Sequence, residues 1–158
     1  MALALQAVSD LQNLLHEVPR RFRQFGDEEV KKPRAEGKWS RLQVLGHVCD
    51  SAINNLNRFV SIQGQSEPLV IASYNQNVWV EAGRYNEASA EEILALWVSL
   101  NQSVLRVVSG LSEAVLSHLC RLPDGTEVTL EWLIGDYVDH LKHHLEQIFP
   151  GDRWDLGD

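Results

Sequence analysis

The chain predicts an all-α fold, a four-helix bundle, on three observations. Four long stretches carry apolar residues at three- and four-residue steps, the 3.6-residue helical period. Two of them open on Ser-x-x-Gln or Ser-x-x-Glu, where hydroxyl and side-chain carbonyl each satisfy a free backbone N–H. No internal repeat or strand series interrupts them, as expected of helices packed on helices. With 158 residues the chain has room for one domain with a real core, so 1–158 is expected to be a single domain.

The first helix spans about Leu3 to Phe25, with Leu3, Ala7, Leu11, Leu14, Leu15, Val18, Phe22 and Phe25 on its periodic face. Pro19 lies inside the pattern and predicts a kink or break near Val18. Gly26 to Lys38 is rich in charge, Gly and Pro and reads as a loop. Ser40 and Gln43 open the second helix, about Ser40 to Ile62, with Leu42, Leu45, Val48, Cys49, Ala52, Ile53, Leu56, Phe59 and Val60 largely inward. From Gln63 to Asn86 the period is lost, making a long crossover between the second and third helices; Tyr74 to Glu81 predicts a short helix inside it. Connections of that length are often functional. Ser89 and Glu92 open the third helix, which ends near Gly110, and Ser112 to Leu119 predicts a further helical piece. Leu122 to Thr129 predicts a turn with Asp124-Gly125 at its tip, a small hairpin being the alternative. Thr129 caps the fourth helix, about Leu130 to Phe149, stopped by Pro150 and Gly151. The remaining tail, with Trp154 among acids, is expected to fold back on the body.

Composition narrows the function. A net charge of −8 and scattered basic residues argue against nucleic acid, because phosphate binding needs a concentrated basic surface. No apolar run approaches the length of a membrane span, and the first residues lack the basic flank and long apolar core of a signal peptide. Cys49 and Cys120 are too few for a disulfide framework. A cytoplasmic protein with two reduced, buried thiols is expected.

The chemistry-bearing feature is on the fourth helix. His140 and His144 are four residues apart, so their rings stack on one face, one turn from each other, and can grip a single metal ion. His143 offers a second pairing with His140 at i, i+3; His144 is preferred because it shares an edge with His140 and Asp136. A third ligand must come from elsewhere, and His47, one to two turns inside the second helix, is the best candidate. Three neutral imidazoles suit zinc, nickel or a similar divalent ion and leave a position open for chemistry. Asp50 and Asp136 stand beside the histidines as neighbouring groups. Arg58, Trp79 and Tyr74 are candidate pocket residues. A lone histidine on a helix is more often a plain boundary residue, and His16 is read that way. Gly-rich phosphate loops, a serine nucleophile elbow and Cys-x-x-Cys are all missing.

Trp39-Ser40-x-x-Gln43-x-x-Gly46-His47-x-x-Asp50, followed by Asp139-His140-x-x-His143-His144-x-x-Gln147-Ile148, resembles the DinB-like superfamily, including its YfiT-type members. The likeness in helix order covers nearly the whole chain. It implies a four-helix bundle with a nickel or zinc site made of three histidines, often in a homodimer; residue by residue, His47, His140 and His144 fill the ligand positions. It also implies an enzyme whose metal activates a low-molecular-weight thiol, as in thiol-dependent S-transferases and isomerases, or water, as in hydrolases, for attack on a small electrophile. The alternative is a non-catalytic metal-binding or stress-response bundle.

Overall fold

A computed structural model describes residues 2–154. Met1 and residues 155–158, the ends of the expected 1–158 domain, lie outside the described residues. In chain order the elements are α1 (Ala2–Phe22), α2 (Asp27–Lys31), α3 (Arg41–Ser61), β1 (Leu69–Val70), α4 (Gln76–Gly83), a 3₁₀ turn (Tyr85–Glu87), α5 (Ala90–Ser109), α6 (Glu113–Leu116), β2 (Leu119–Arg121), β3 (Glu127–Thr129) and α7 (Leu130–Ile148). The four long helices α1, α3, α5 and α7 form the bundle that the apolar period predicts. α1 packs on α5 and α7, and α3 packs on the same two. Consecutive helices α1 and α3 therefore lie across the bundle from one another, as do α5 and α7.

Capping fixes where these helices begin. Ser40 Oγ accepts from the Gln43 N–H at 3.1 Å while Gln43 Oε1 accepts from the Ser40 N–H at 2.9 Å, the reciprocal arrangement that the sequence predicts. Ser89 and Thr129 each accept one backbone N–H at 3.1 Å, from Glu92 and Trp132. α1 does not break at Pro19. Proline removes one donor, but the next turn closes with the Arg23 N–H on the Pro19 carbonyl, and only beyond Phe22 does the chain tighten into i→i+3 bonds.

Three details go beyond the periodic reading. The predicted Gly26–Lys38 loop contains α2, whose Asp27, Glu28 and Glu29 suit a helix N-terminus and whose Val30 is fully buried. One and a half turns are too short to show a period. The Leu122–Thr129 turn is the tip of a hairpin in which β2 and β3 pair antiparallel, with Gly125 at φ 89°. β1, out of the crossover, adds to β2 in parallel, giving a three-stranded sheet in the order β1-β2-β3.

The core runs the length of the bundle, with Leu14, Leu45, Phe59, Trp97, Leu130 and Leu145 fully buried. Cys49 and Cys120 are free and buried, as expected. Trp154 folds back as predicted: it is 2% exposed, lies 5.1 Å from the Phe149 ring and carries the Arg21 guanidinium on its face. Lys142 on α7 and Asp10 on α1 form a 2.6 Å ion pair between helices.

Candidate metal centre

α3 and α7 bring the three predicted histidines together. The Nε2 atom of His144 lies 3.0 Å from Nε2 of His140 and 3.1 Å from Nε2 of His47. One ligand atom from each of the three falls within 4.8 Å of the others. The rings meet edge to face, His144 at 4.4 Å from each of the other two and at 76–78°. His143 points elsewhere: it is exposed and outside the group. Of the two pairings that the helix spacing allows, the structure assembles His140 with His144.

Each ring is held by its own surroundings. His47 is completely buried and tilts against the Trp39 indole, 5.1 Å between centroids. His144 is oriented by Gln147, one turn on, whose Oε1 lies 2.8 Å from His144 Nδ1. With Nδ1–H donating to that oxygen, His144 Nε2 is left as a bare lone pair. It faces two more imidazole nitrogens at about 3 Å, and one lone pair cannot satisfy both. Nδ1 of His47 is buried with no partner. As packing, the arrangement is frustrated.

As ligands of one ion, the three Nε2 atoms would no longer compete, although His47 Nδ1 would still have no partner. Zinc–nitrogen distances of about 2.0–2.1 Å place two imidazole nitrogens on one ion roughly 2.9–3.3 Å apart, the spacing of His144 Nε2 from each of its two neighbours. Burial also holds the rings in the neutral form that a metal needs. His47 is lowered to about 4 by burial, then by His144 and His140. His140 and His144 are lowered by burial first, with His143 adding to both.

The other predicted residues separate into two groups. Arg58, Tyr74 and Asp136 line one cavity of about 170 Å³ together with His140, so they border the histidine group directly. Asp50 and Trp79 line a second cavity, about 420 Å³, together with Tyr85. Trp79 meets the edge of Tyr74 at 5.9 Å. Asp50 does not hydrogen-bond His47. Its Oδ1 accepts from the Tyr85 hydroxyl, its Oδ2 is buried without a partner, and burial raises its carboxyl to about 6. Tyr85 lies against Gly46 and Gly83, where a Cβ would run into its ring.

Trp39, Gln147 and Gly46 belong to the motifs quoted above, but composition and period give them no role. The contacts do so. Trp39 backs one histidine, Gln147 aims another, and Gly46 leaves room for Tyr85.

Comparison with known proteins agrees with the geometry. The model of the DinB superfamily matches residues 10–148. "Putative metal-dependent hydrolase YfiT" of Bacillus subtilis (strain 168) is 29% identical over 140 residues, 85% of this chain and 78% of that protein. A Bacillus mycoides (strain KBAB4) protein of the same description is 26% identical over 141 residues, 89% of this chain and 80% of its own. Among solved structures, YfiT from Bacillus subtilis, described as having an unusual four-helix bundle topology, superposes with a TM-score of 0.81 at 25% identity, covering 92% of this chain and 83% of that one. A mycothiol-dependent maleylpyruvate isomerase shares the fold at a TM-score of 0.67 and 17% identity, over 90% of this chain and 59% of that one.

Proposed function

The chain belongs to the DinB superfamily, and from that premise we propose that it is a metal-dependent enzyme acting on a small molecule. His47, His140 and His144 hold a divalent ion, zinc or nickel, and the nucleophile is a low-molecular-weight thiol or water. The observation that carries this reading is the convergence of one ring nitrogen from each of the three histidines within 4.8 Å. When bound, such an ion supplies a Lewis acid that lowers the pKa of a coordinated thiol or water toward neutrality.

The protein's part is positioning. Gln147 fixes the tautomer and direction of His144, the role that outer hydrogen bonds play at metal histidines. His47 is locked into α3 by complete burial and backed by Trp39, so the group is closed on that side. His140 borders the cavity of about 170 Å³, and through it a substrate approaches. The hydrolase reading is supported by the YfiT relatives and the thiol reading by the isomerase fold neighbour. The homodimer and the cytoplasmic location rest on the resemblance and on composition; no described helix is long and apolar enough to cross a membrane.

A non-catalytic metal-binding module calls for a fourth protein ligand or a sealed site. Among the described residues the group comprises three histidines, and His140 and His144 are only partly buried. Both observations favour catalysis. Elemental analysis of untagged protein tests the site, with near-stoichiometric zinc or nickel expected in the wild type and loss of it in a His140→Ala, His144→Ala variant. Wild-type protein that stays metal-free after reloading with either ion would overturn the reading.

A further inference from the structure

The cavity beside His140 carries opposite charges on two walls, and they do not meet. Arg58 comes from α3. Its Nη2 donates to the Ala72 carbonyl at 2.8 Å and its Nη1 to Asn55 Oδ1 at 3.4 Å, so two neutral acceptors aim the guanidinium. Arg20, Arg21, Arg23, Arg84 and Arg121 each hold a carboxylate; among the described residues Arg58, like Arg34, Arg41 and Arg106, has none within ion-pair reach, and of these four it lines the cavity beside His140. It is half-buried and lines this cavity as well as a neighbouring one of about 290 Å³ beside Ala72, with N–H donors to spare.

Asp136 stands on α7, one turn before His140, and lines the same cavity. No described Lys, Arg or His lies within ion-pair reach of it either. Ser51, Asn55 and the Tyr74 ring complete the polar lining. The space, about 170 Å³, is below the range of drug-sized pockets and suits a group of about one amino acid.

A guanidinium and a carboxylate that share a small cavity but do not neutralise one another are the complement of a zwitterion. The planar fork of arginine matches a carboxylate, and an aspartate matches an ammonium. We propose that this cavity receives the α-amino-acid head of the substrate, its carboxylate on Arg58, its ammonium on Asp136, and its side chain directed to His140. That last direction rests on the metal-enzyme reading above and makes the ligand a cysteine-type thiol. The recognition of the head group does not depend on that reading.

Calorimetric titration of the zinc-loaded protein with four thiols tests the assignment: L-cysteine, cysteamine without the carboxylate, 3-mercaptopropionate without the amine, and 2-mercaptoethanol with neither. L-Cysteine should bind tightest, each missing charge weakening binding about tenfold, the usual value of a charge-assisted contact. Arg58→Gln should weaken L-cysteine and 3-mercaptopropionate and spare cysteamine. Asp136→Asn should weaken L-cysteine and cysteamine and spare 3-mercaptopropionate. Equal affinity for all four thiols, or a variant that weakens all of them alike, would overturn the proposal. The same variants titrated metal-free with L-serine separate the two readings. If zinc does not load but L-serine binding responds to both substitutions, the head-group site stands and the metal enzyme falls. If zinc loads and no head-group preference exists, the reverse holds.

Discussion

Replacing Gly46 by alanine sets helix propensity against tertiary packing, and the two predict opposite signs. Gly46 lies inside α3, where alanine is favoured over glycine by about 1 kcal/mol, so a purely local argument makes Gly46→Ala stabilising. The structure argues otherwise. A Cβ there would overlap Cγ, Cδ2 and Cε2 of Tyr85, and the ring is confined further by Gly83, where a Cβ would already stand 2.7 Å from Cε2. Overpacking of this kind costs about 1–3 kcal/mol. A displaced Tyr85 also releases its hydrogen bond to Asp50, worth roughly 1.5–3 kcal/mol for a charged partner, and leaves that buried carboxylate with neither oxygen satisfied. Subtracting the helix gain leaves a destabilisation of about 2–5 kcal/mol. Urea unfolding of both proteins at pH 7 measures it. A second check is a cycle with Tyr85→Ala: once the ring is gone the alanine has room, so the double variant should cost clearly less than the two singles summed. A Gly46→Ala protein as stable as wild type, or a strictly additive cycle, would refute the packing argument.

Gln147→Ala should leave the fold intact and weaken metal binding about 10–100-fold, the usual effect of removing a histidine's outer hydrogen bond, as read by competition with a chelator. Unchanged affinity would mean that Gln147 does not aim the ring. Metal-free protein should lose stability as pH falls from 6.5 toward about 4: His47 is held neutral in the folded state, the unfolded chain binds the extra proton, and the loss from this residue reaches at most about 3 kcal/mol. Asp50 acts in the opposite sense, because its carboxyl, raised from 3.8 to about 6, takes up a proton on the folded side first. Asp50→Asn should therefore steepen the loss, and a slope in urea midpoints at pH 7, 6 and 5 unchanged from wild type would contradict the Asp50 assignment. Lys142→Met leaves Asp10, whose side chain is 7% exposed, with only the Gln6 amide at 2.8 Å, and should cost about 1–3 kcal/mol, less than a fully buried pair because Lys142 itself is 19% exposed. The double variant Asp10→Leu, Lys142→Met should recover most of that in urea unfolding; no recovery would mean that the pair is not what the single variant breaks.

The four long helices were legible because each carries its apolar residues over five or more turns, and α3, α5 and α7 begin at capping residues whose chemistry is local. What escaped was short or non-local. α2 is too brief for a period, and β1 becomes a strand only because β2, some fifty residues away, supplies its hydrogen bonds. The His140–His144 pair could be read from spacing within one helix, whereas choosing His47 needed a packing partner across the bundle. Asp50 misled in a useful way. Three residues from His47 it looks like a neighbour of that ring, but α3 turns it toward Tyr85, a residue from the crossover whose position no pattern in the sequence predicts.

His47, Ser51, Asn55 and Arg58 recur at four, four and three residues along α3, a polar stripe on a helix whose other positions are largely apolar, and the first three are at least nine-tenths buried. Asp136, His140 and His144 form the matching stripe on α7 at intervals of four. The two face each other: His47 meets His144, and Ser51, Asn55 and Arg58 share a cavity with His140 and Asp136. A helix pair selected for stability alone would fill the buried positions, those of His47, Ser51 and Asn55, with leucine, since burying polar groups lowers stability unless every one is satisfied. Here His47 Nδ1 is unpartnered and two charges lie unmatched along the same seam. Departures from local rules that gather on one interface mark where a sequence serves a ligand. The seam between α3 and α7 has two stations, three imidazoles at one end and a divided pair of charges at the other, and the zwitterionic nucleophile proposed above would span both.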